Sequence, residues 1–163
     1  MNLKPLDLDV YRDFAVGLFN EAGKTLLPEV VDQVYRDFNG VTAYMQRLMN
    51  VLFMRTQQGE TCIPEMIDGA ISYTLDMASD TYEVLLCQMP EKQRNVFIAI
   101  AIEGEVANVT SGAFARKYHL PSASSVNSAV KGLLAKDFIT LSKNGYQAYD
   151  KLFALWVKRY VNI

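Results

Sequence analysis

The sequence predicts a mainly α chain in two modules, a helical bundle followed by a three-helix unit that carries a small β-hairpin. Three observations predict this. Apolar residues recur at helical spacing through most of the 163 residues. The charge changes sign at Pro90: residues 1–89 hold 6 Lys and Arg against 13 Asp and Glu, a net −7, and residues 90–163 hold 10 against 5, a net +5. Asn144-Gly145 lies between two short β-favouring runs, the strongest short hairpin signal.

The first module, residues 1–89, reads as four helices. Tyr11, Phe14, Ala15, Leu18, Phe19 and Ala22 form one stripe, with Asp7 or Asp9 as cap and Gly23 as stop. Pro28 opens a short helix with Val31, Val34, Tyr35 and Phe38 inward, and Asn39-Gly40 ends it. Thr42 can cap the third, whose wide face is Tyr44, Met45, Leu48, Met49, Leu52 and Phe53. Pro64 opens a long fourth segment, with a break expected around Ser79-Asp80 and a continuation to Met89. These stripes are expected to form core.

The second module, residues 90–163, begins with Pro90-Glu91 and the apolar run Val96–Ile102. That run alone fits a buried strand; its start and the Glu103-Gly104 stop favour a helix. Ser111 caps a short helix, Gly112–Tyr118, and Leu120-Pro121 makes a turn. Ser122 caps a helix to about Lys136 with Val126, Val130, Leu133 and Leu134 inward. Phe138–Leu141 and Tyr146–Tyr149 flank the Asn144-Gly145 turn, and a helix over Asp150–Tyr160 closes the chain. Helix, helix, turn, helix, hairpin is the order of a winged helix-turn-helix. The least structured segments are expected at Gln57–Ile63 and Val106–Thr110.

Composition bounds the function. Half the residues are hydrophobic, enough for a core. No apolar run nears the ~20 residues of a membrane helix. The start, MNLKPLDLDV, lacks the basic lead and apolar core of a signal peptide, so a cytoplasmic protein is expected. Cys62 and Cys87 form no C-x-x-C pair and read as two buried, reduced thiols.

No catalytic centre is legible. His119 is the only histidine and lies in a turn without partner Cys or paired carboxylates, so no metal site is expected. Asp7, Asp9, Asp13, Asp76 and Asp80 read as helix starts and solvated faces. Gly23-Lys24-Thr25 lacks the glycine-rich lead of a phosphate loop and follows a helix, where it reads as a stop.

The helix-turn-helix carries the functional expectation. The outward, early residues of its second helix meet base edges and phosphates. Here they are Ser122, Ser124, Ser125, Asn127, Ser128 and Lys131, with Lys143 and Asn144 in the wing turn. Asn127 has the chemistry to read an adenine edge. Arg116, Lys117, Lys136, Lys151, Lys158 and Arg159 add positive charge. The reading helix has no Arg, and serine-rich helix starts are also good caps. Double-stranded DNA and a protein partner therefore both remain open.

The pieces Gln93-Arg94, Glu103-Gly104, SGAFARKYHLPSASSVNSAVKGLLAKDFI (Ser111–Ile139) and GYQAYDKLFALW (Gly145–Trp156) resemble the C-terminal winged helix of AAA-type ATP-binding proteins of the archaeal-ATPase, STAND-like group. The stretch YRDFAVGLFNEAGKTLLPEVVDQVYRDFNGVTAYMQRLMN resembles the helical lid that follows their nucleotide core. The resemblance implies the lid and output portion of a larger protein, with ATP and Mg bound by an upstream ATPase core. Walker A and Walker B residues are absent here, so no ATP hydrolysis by this chain alone is expected. Relatives often have a Gly-x-Pro turn near the nucleotide, where this chain has Gly40-Val41-Thr42. Thr42 is then either nucleotide-proximal or a plain cap, and Arg47 either approaches phosphates or is a surface arginine. The alternative to this reading is a free-standing winged-helix transcriptional regulator.

Overall fold

The computed structural model describes residues 4–161. Residues 1–3, part of the start read above for a signal peptide, and residues 162–163 lie outside the described residues. The chain divides into two compact units, Met1–Met77 and Ala78–Ile163.

The first unit contains α1 (Leu8–Glu21), β1 (Thr25–Leu26), α2 (Pro28–Asp37), α3 (Thr42–Arg55), β2 (Thr61–Cys62), a 3-10 turn (Pro64–Met66) and the start of α4 (Ile67–Gln88). Asp7 caps α1 by accepting from the Val10 N–H at 3.2 Å. Pro28 occupies the first turn of α2, where its missing N–H costs nothing. Val30, Val31, Val34, Phe38, Met45, Leu48 and Leu52 are almost fully buried and form the core.

Several expectations are corrected here. Thr42 is already helical, so the cap position falls on Val41, whose apolar side chain offers no acceptor. Only one side of α1 is covered: Ala15 and Phe19 are buried, whereas Phe14 and Leu18 are 61% and 44% exposed. The segment expected to be unstructured, Gln57–Ile63, contains β2, which pairs in parallel with β1 through Thr25↔Thr61 and Leu26↔Cys62. Cys62 is buried, and burial pushes its thiol up from the ordinary range. Cys87, expected to be buried, is exposed; both cysteines are free.

Helix α4 runs unbroken through Ser79-Asp80, contrary to the expected break. Neither residue forces a helix to end, and the Ser79 hydroxyl accepts from the Trp156 indole N–H at 2.9 Å. The second unit therefore starts before the Met89/Pro90 boundary read from the sequence. The late turns of α4 pack into it: Tyr82 stacks on Phe153 with ring centres 4.6 Å apart.

The second unit continues with α5 (Glu91–Glu103), α6 (Gly112–Tyr118), α7 (Ala123–Ala135), the antiparallel strands β3 (Ile139–Ser142) and β4 (Gly145–Ala148), and α8 (Lys151–Tyr160). Val96–Ile102 is helical, and α5 packs against α7, α8 and β4. Ser111, Ser122 and Asp150 each cap the helix that follows through a side-chain oxygen. Among the described residues no helix is long and apolar enough to cross a membrane.

The hairpin differs from expectation by one residue. Ser142 pairs with Gly145, so the two-residue turn is Lys143-Asn144, and Gly145 opens β4. The reason is a third segment. Val106 bridges Tyr146 by two 2.9 Å backbone hydrogen bonds, within the other stretch expected to be unstructured. The Val106 carbonyl occupies the place a Cβ on Gly145 would take, and Gly145 has φ +132°.

Two predictions follow from these contacts. Gly145→Ala should cost about 2–3 kcal/mol through overlap with Val106 and a disfavoured φ, read as a lowered urea midpoint; an unchanged midpoint would refute the close approach. Glu103 accepts from Lys117 and Tyr118, and these hydrogen bonds, Lys117 first, hold its carboxyl below the ordinary range. A depressed carboxyl stabilises the fold above its unfolded pKa and loses that contribution as pH falls through the folded value. Glu103→Gln should therefore lower the melting temperature near pH 7, and the deficit should shrink as pH falls through the folded value. A deficit that does not change with pH would show that the ion pair is not its cause.

Candidate nucleic-acid interface

The site is built on α6, the turn and α7. Helix α6 ends at His119, which adopts the left-handed conformation at φ 53° and ψ 43°. The Leu120 N–H returns to the Ala115 carbonyl at 2.9 Å. Pro121 follows, and Ser122 starts α7 by accepting from the Ser125 N–H at 3.3 Å. Val126, Ala129, Val130 and Leu133 are buried, which fixes the rotation of α7 and hence the face it shows to solvent.

That face holds most of the residues expected from the sequence. Ser124, Asn127, Ser128 and Lys131 are spaced i, i+3, i+4, i+7 and are all exposed, with exposed Ser122 at the helix start. None of these five is acidic. Ser125 is half-buried, and its hydroxyl lies 3.3 Å from that of Ser122, so it belongs to the cap. Lys143 and Asn144 form the exposed tip of the hairpin. Ser142 steadies that tip: its hydroxyl donates to the Gly145 carbonyl at 3.0 Å and accepts from the Asn144 N–H at 3.3 Å.

Packing of α5 on α7 adds a feature the sequence reading missed. Pro90, Lys92, Gln93, Ser124, Ser125, Ser128 and Ala129 line a cleft of about 320 Å3. Lys92 thereby joins the serine face as a further cation. Its only sequence signal is a lysine in the first turn of a helix far along the chain from α7. Gly132 lies on the same flank, where the amide end of the Gln93 side chain occupies the space of a Cβ. Gln93 Oε1 is buried with no hydrogen-bond partner among the described residues.

Of the basic residues expected to supply charge, Arg116, Lys136, Lys158 and Arg159 are exposed and Lys151 is half-buried. Lys117 pairs with Glu103, which ties α6 to the end of α5. Thr42 and Arg47 lie in the first unit, on the first turn of α3 and on its exposed surface respectively. They share no element with the α7 face. Among the described residues no group of His, Cys, Asp and Glu could hold a metal ion.

Residues 80–159 match a family model described as a probable winged helix domain. No curated protein and no solved structure matches the chain. The matched stretch begins inside α4, close to where the second compact unit begins. Helix-turn-helix, hairpin and family match coincide on the same residues, and the second half of this chain is a winged helix domain.

Proposed function

We propose that the winged helix domain binds duplex DNA through the phosphate backbone, with α7 in the groove and the Lys143-Asn144 tip on a flanking strand. The observation that carries this is the exposed, acid-free face of α7, with Ser124, Asn127, Ser128 and Lys131 on one side of one helix. Winged helix domains commonly bind DNA, and the second unit has a surplus of cations: residues 78–163 hold 10 Lys and Arg against 7 Asp and Glu, a net +3. Hydroxyls and ammonium groups suit phosphate oxygens, and Asn127 suits an adenine edge. Without Arg on α7, backbone contact outweighs base reading. Lys92, at the edge of the same face, extends the cationic track.

A second reading concerns the larger protein. The resemblance to the lid and winged helix of AAA-type ATP-binding proteins is supported by a compact helical unit followed by a winged helix, in that order. In this reading an ATPase core outside this chain binds ATP and Mg. Thr42 and Arg47 face that core, and the winged helix is the output arm. This chain is then neither a nucleotide binder nor an enzyme by itself. Saturable ATP binding by the isolated chain would contradict it.

The primary reading is tested by fluorescence anisotropy with a labelled, mixed-sequence duplex of about two helical turns. Binding is expected with a dissociation constant of roughly 1–100 µM, weakening steeply with salt. Lys131→Ala should weaken binding about threefold and reduce the log–log salt slope by about 0.9, the signature of one lost phosphate contact. No binding at low salt would reject DNA and leave a protein partner for α7.

A further inference from the structure

We propose that the cleft between α5 and α7 binds a small phosphomonoester that carries hydroxyl groups, of the sugar phosphate or polyol phosphate class. At about 320 Å3 the cleft lies at the small end of ligand pockets, which run from about 300 to 1,000 Å3. It is built within the winged helix domain by the starts of two 13-residue helices. Pro90, Lys92 and Gln93 come from the start of α5, and Ser124, Ser125 and Ser128 from the first turns of α7.

Charge selects an anion. Among the described residues that line the cleft, Lys92 alone is charged. Glu91, its neighbour in the chain, is exposed and is not part of the lining. Pro90 stands at the N-cap position of α5, which has no side-chain cap. The first N–H groups of α5 and its dipole therefore favour a negative group at this end. At the start of α7 the Ser122 hydroxyl donates to that of Ser125 at 3.3 Å. Ser124 and Ser128 are exposed, and their hydroxyls can donate to phosphate oxygens.

A lysine at two helix starts suits any anion, and Gln93 narrows the class. Its Oε1 is buried and has no hydrogen-bond partner among the described residues. Buried side-chain oxygens are as a rule paired, because an unpaired one gives up its hydration without return. A carbonyl oxygen only accepts, so the occupant has to donate. The phosphodiester of a DNA backbone has no O–H. A polyol or sugar phosphomonoester brings a charge for Lys92 and a hydroxyl for Gln93, and its C–H surface suits Pro90 and Ala129 in the same lining. The site shares Ser124 and Ser128 with the face proposed for DNA, so a bound phosphomonoester and a bound duplex exclude each other. Only that exclusion rests on the duplex reading.

The test uses the full chain, backbone amide NMR and three probes: glycerol phosphate, methyl phosphate and glycerol. Glycerol phosphate should shift the amides of Lys92, Gln93, Ser124 and Ser125 saturably, with a dissociation constant on the order of 1 mM. Methyl phosphate, the same charged group without the polyol hydroxyls, should bind ~10-fold more weakly, and glycerol, without the charge, should not bind measurably. Lys92→Ala should weaken glycerol phosphate binding about threefold. Gln93→Met keeps the length of the side chain and removes the acceptor. It should erase the preference for glycerol phosphate over methyl phosphate and leave the melting temperature unchanged or raised. No saturable shift at these amides overturns the site. Equal binding of methyl phosphate, or a preference that survives Gln93→Met, overturns the hydroxyl assignment. In the anisotropy assay, glycerol phosphate should release the duplex where methyl phosphate at the same ionic strength does not, and a duplex held equally in both overturns the overlap. A duplex that never binds rejects the DNA reading alone, because the amide shifts are read without DNA.

Discussion

Helix α5 has to be enclosed. Val96, Phe97, Ala99, Ile100 and Ala101 are all buried, and five neighbouring positions cannot share one face of a helix. Each Val, Ile or Phe here contributes about 1.5–3 kcal/mol only if it leaves water, so α5 cannot be a surface helix. Helices α7 and α8 and strand β4 enclose it. This enclosure sets which face α7 shows to solvent. Because α7 gives Val126, Val130 and Leu133 to the shared core, its serine and lysine residues are turned outward together. The α7 face and the burial of α5 are two sides of one packing arrangement.

The same core extends to α4 through aromatic stacking. Phe97, Phe153, Tyr82 and Trp156 form a chain of ring contacts with centres 4.6–6.2 Å apart. The contacts explain why the domain starts inside α4 and not at the charge change. Charge is a surface property, whereas a domain is bounded by what it buries.

How much of this was legible follows the range of the interaction. Ser111, Ser122 and Asp150 sit one residue before their helices and bond within them, so a local reading finds each cap and, with it, α6, α7 and α8 to within a residue or two. The α7 face was legible for the same reason, since helical periodicity orders Ser124, Asn127, Ser128 and Lys131 without knowledge of any neighbour. Lys92 was not, because only the packing of α5 on α7 brings it there. The pairing of Thr25 with Thr61, and of Val106 with Tyr146, joins segments with no shared local signal. The shifted hairpin turn has the same origin: an Asn-Gly pair favours one turn, and the backbone of Val106 moves the glycine into the strand. Phe14 and Leu18 were misread because periodicity shows which residues share a face but not whether another element covers it.

Trp156 is the only tryptophan of the chain. It is almost fully buried, with its indole N–H held by Ser79 on α4. Its emission is therefore an intrinsic probe that belongs to the winged helix domain alone. A change in its intensity or wavelength reports loosening of the α4–α8 contact, while events confined to the first unit leave it unchanged. A chain with two compact units thus carries a built-in optical label on one of them, and the unfolding of that unit can be followed without attaching a dye.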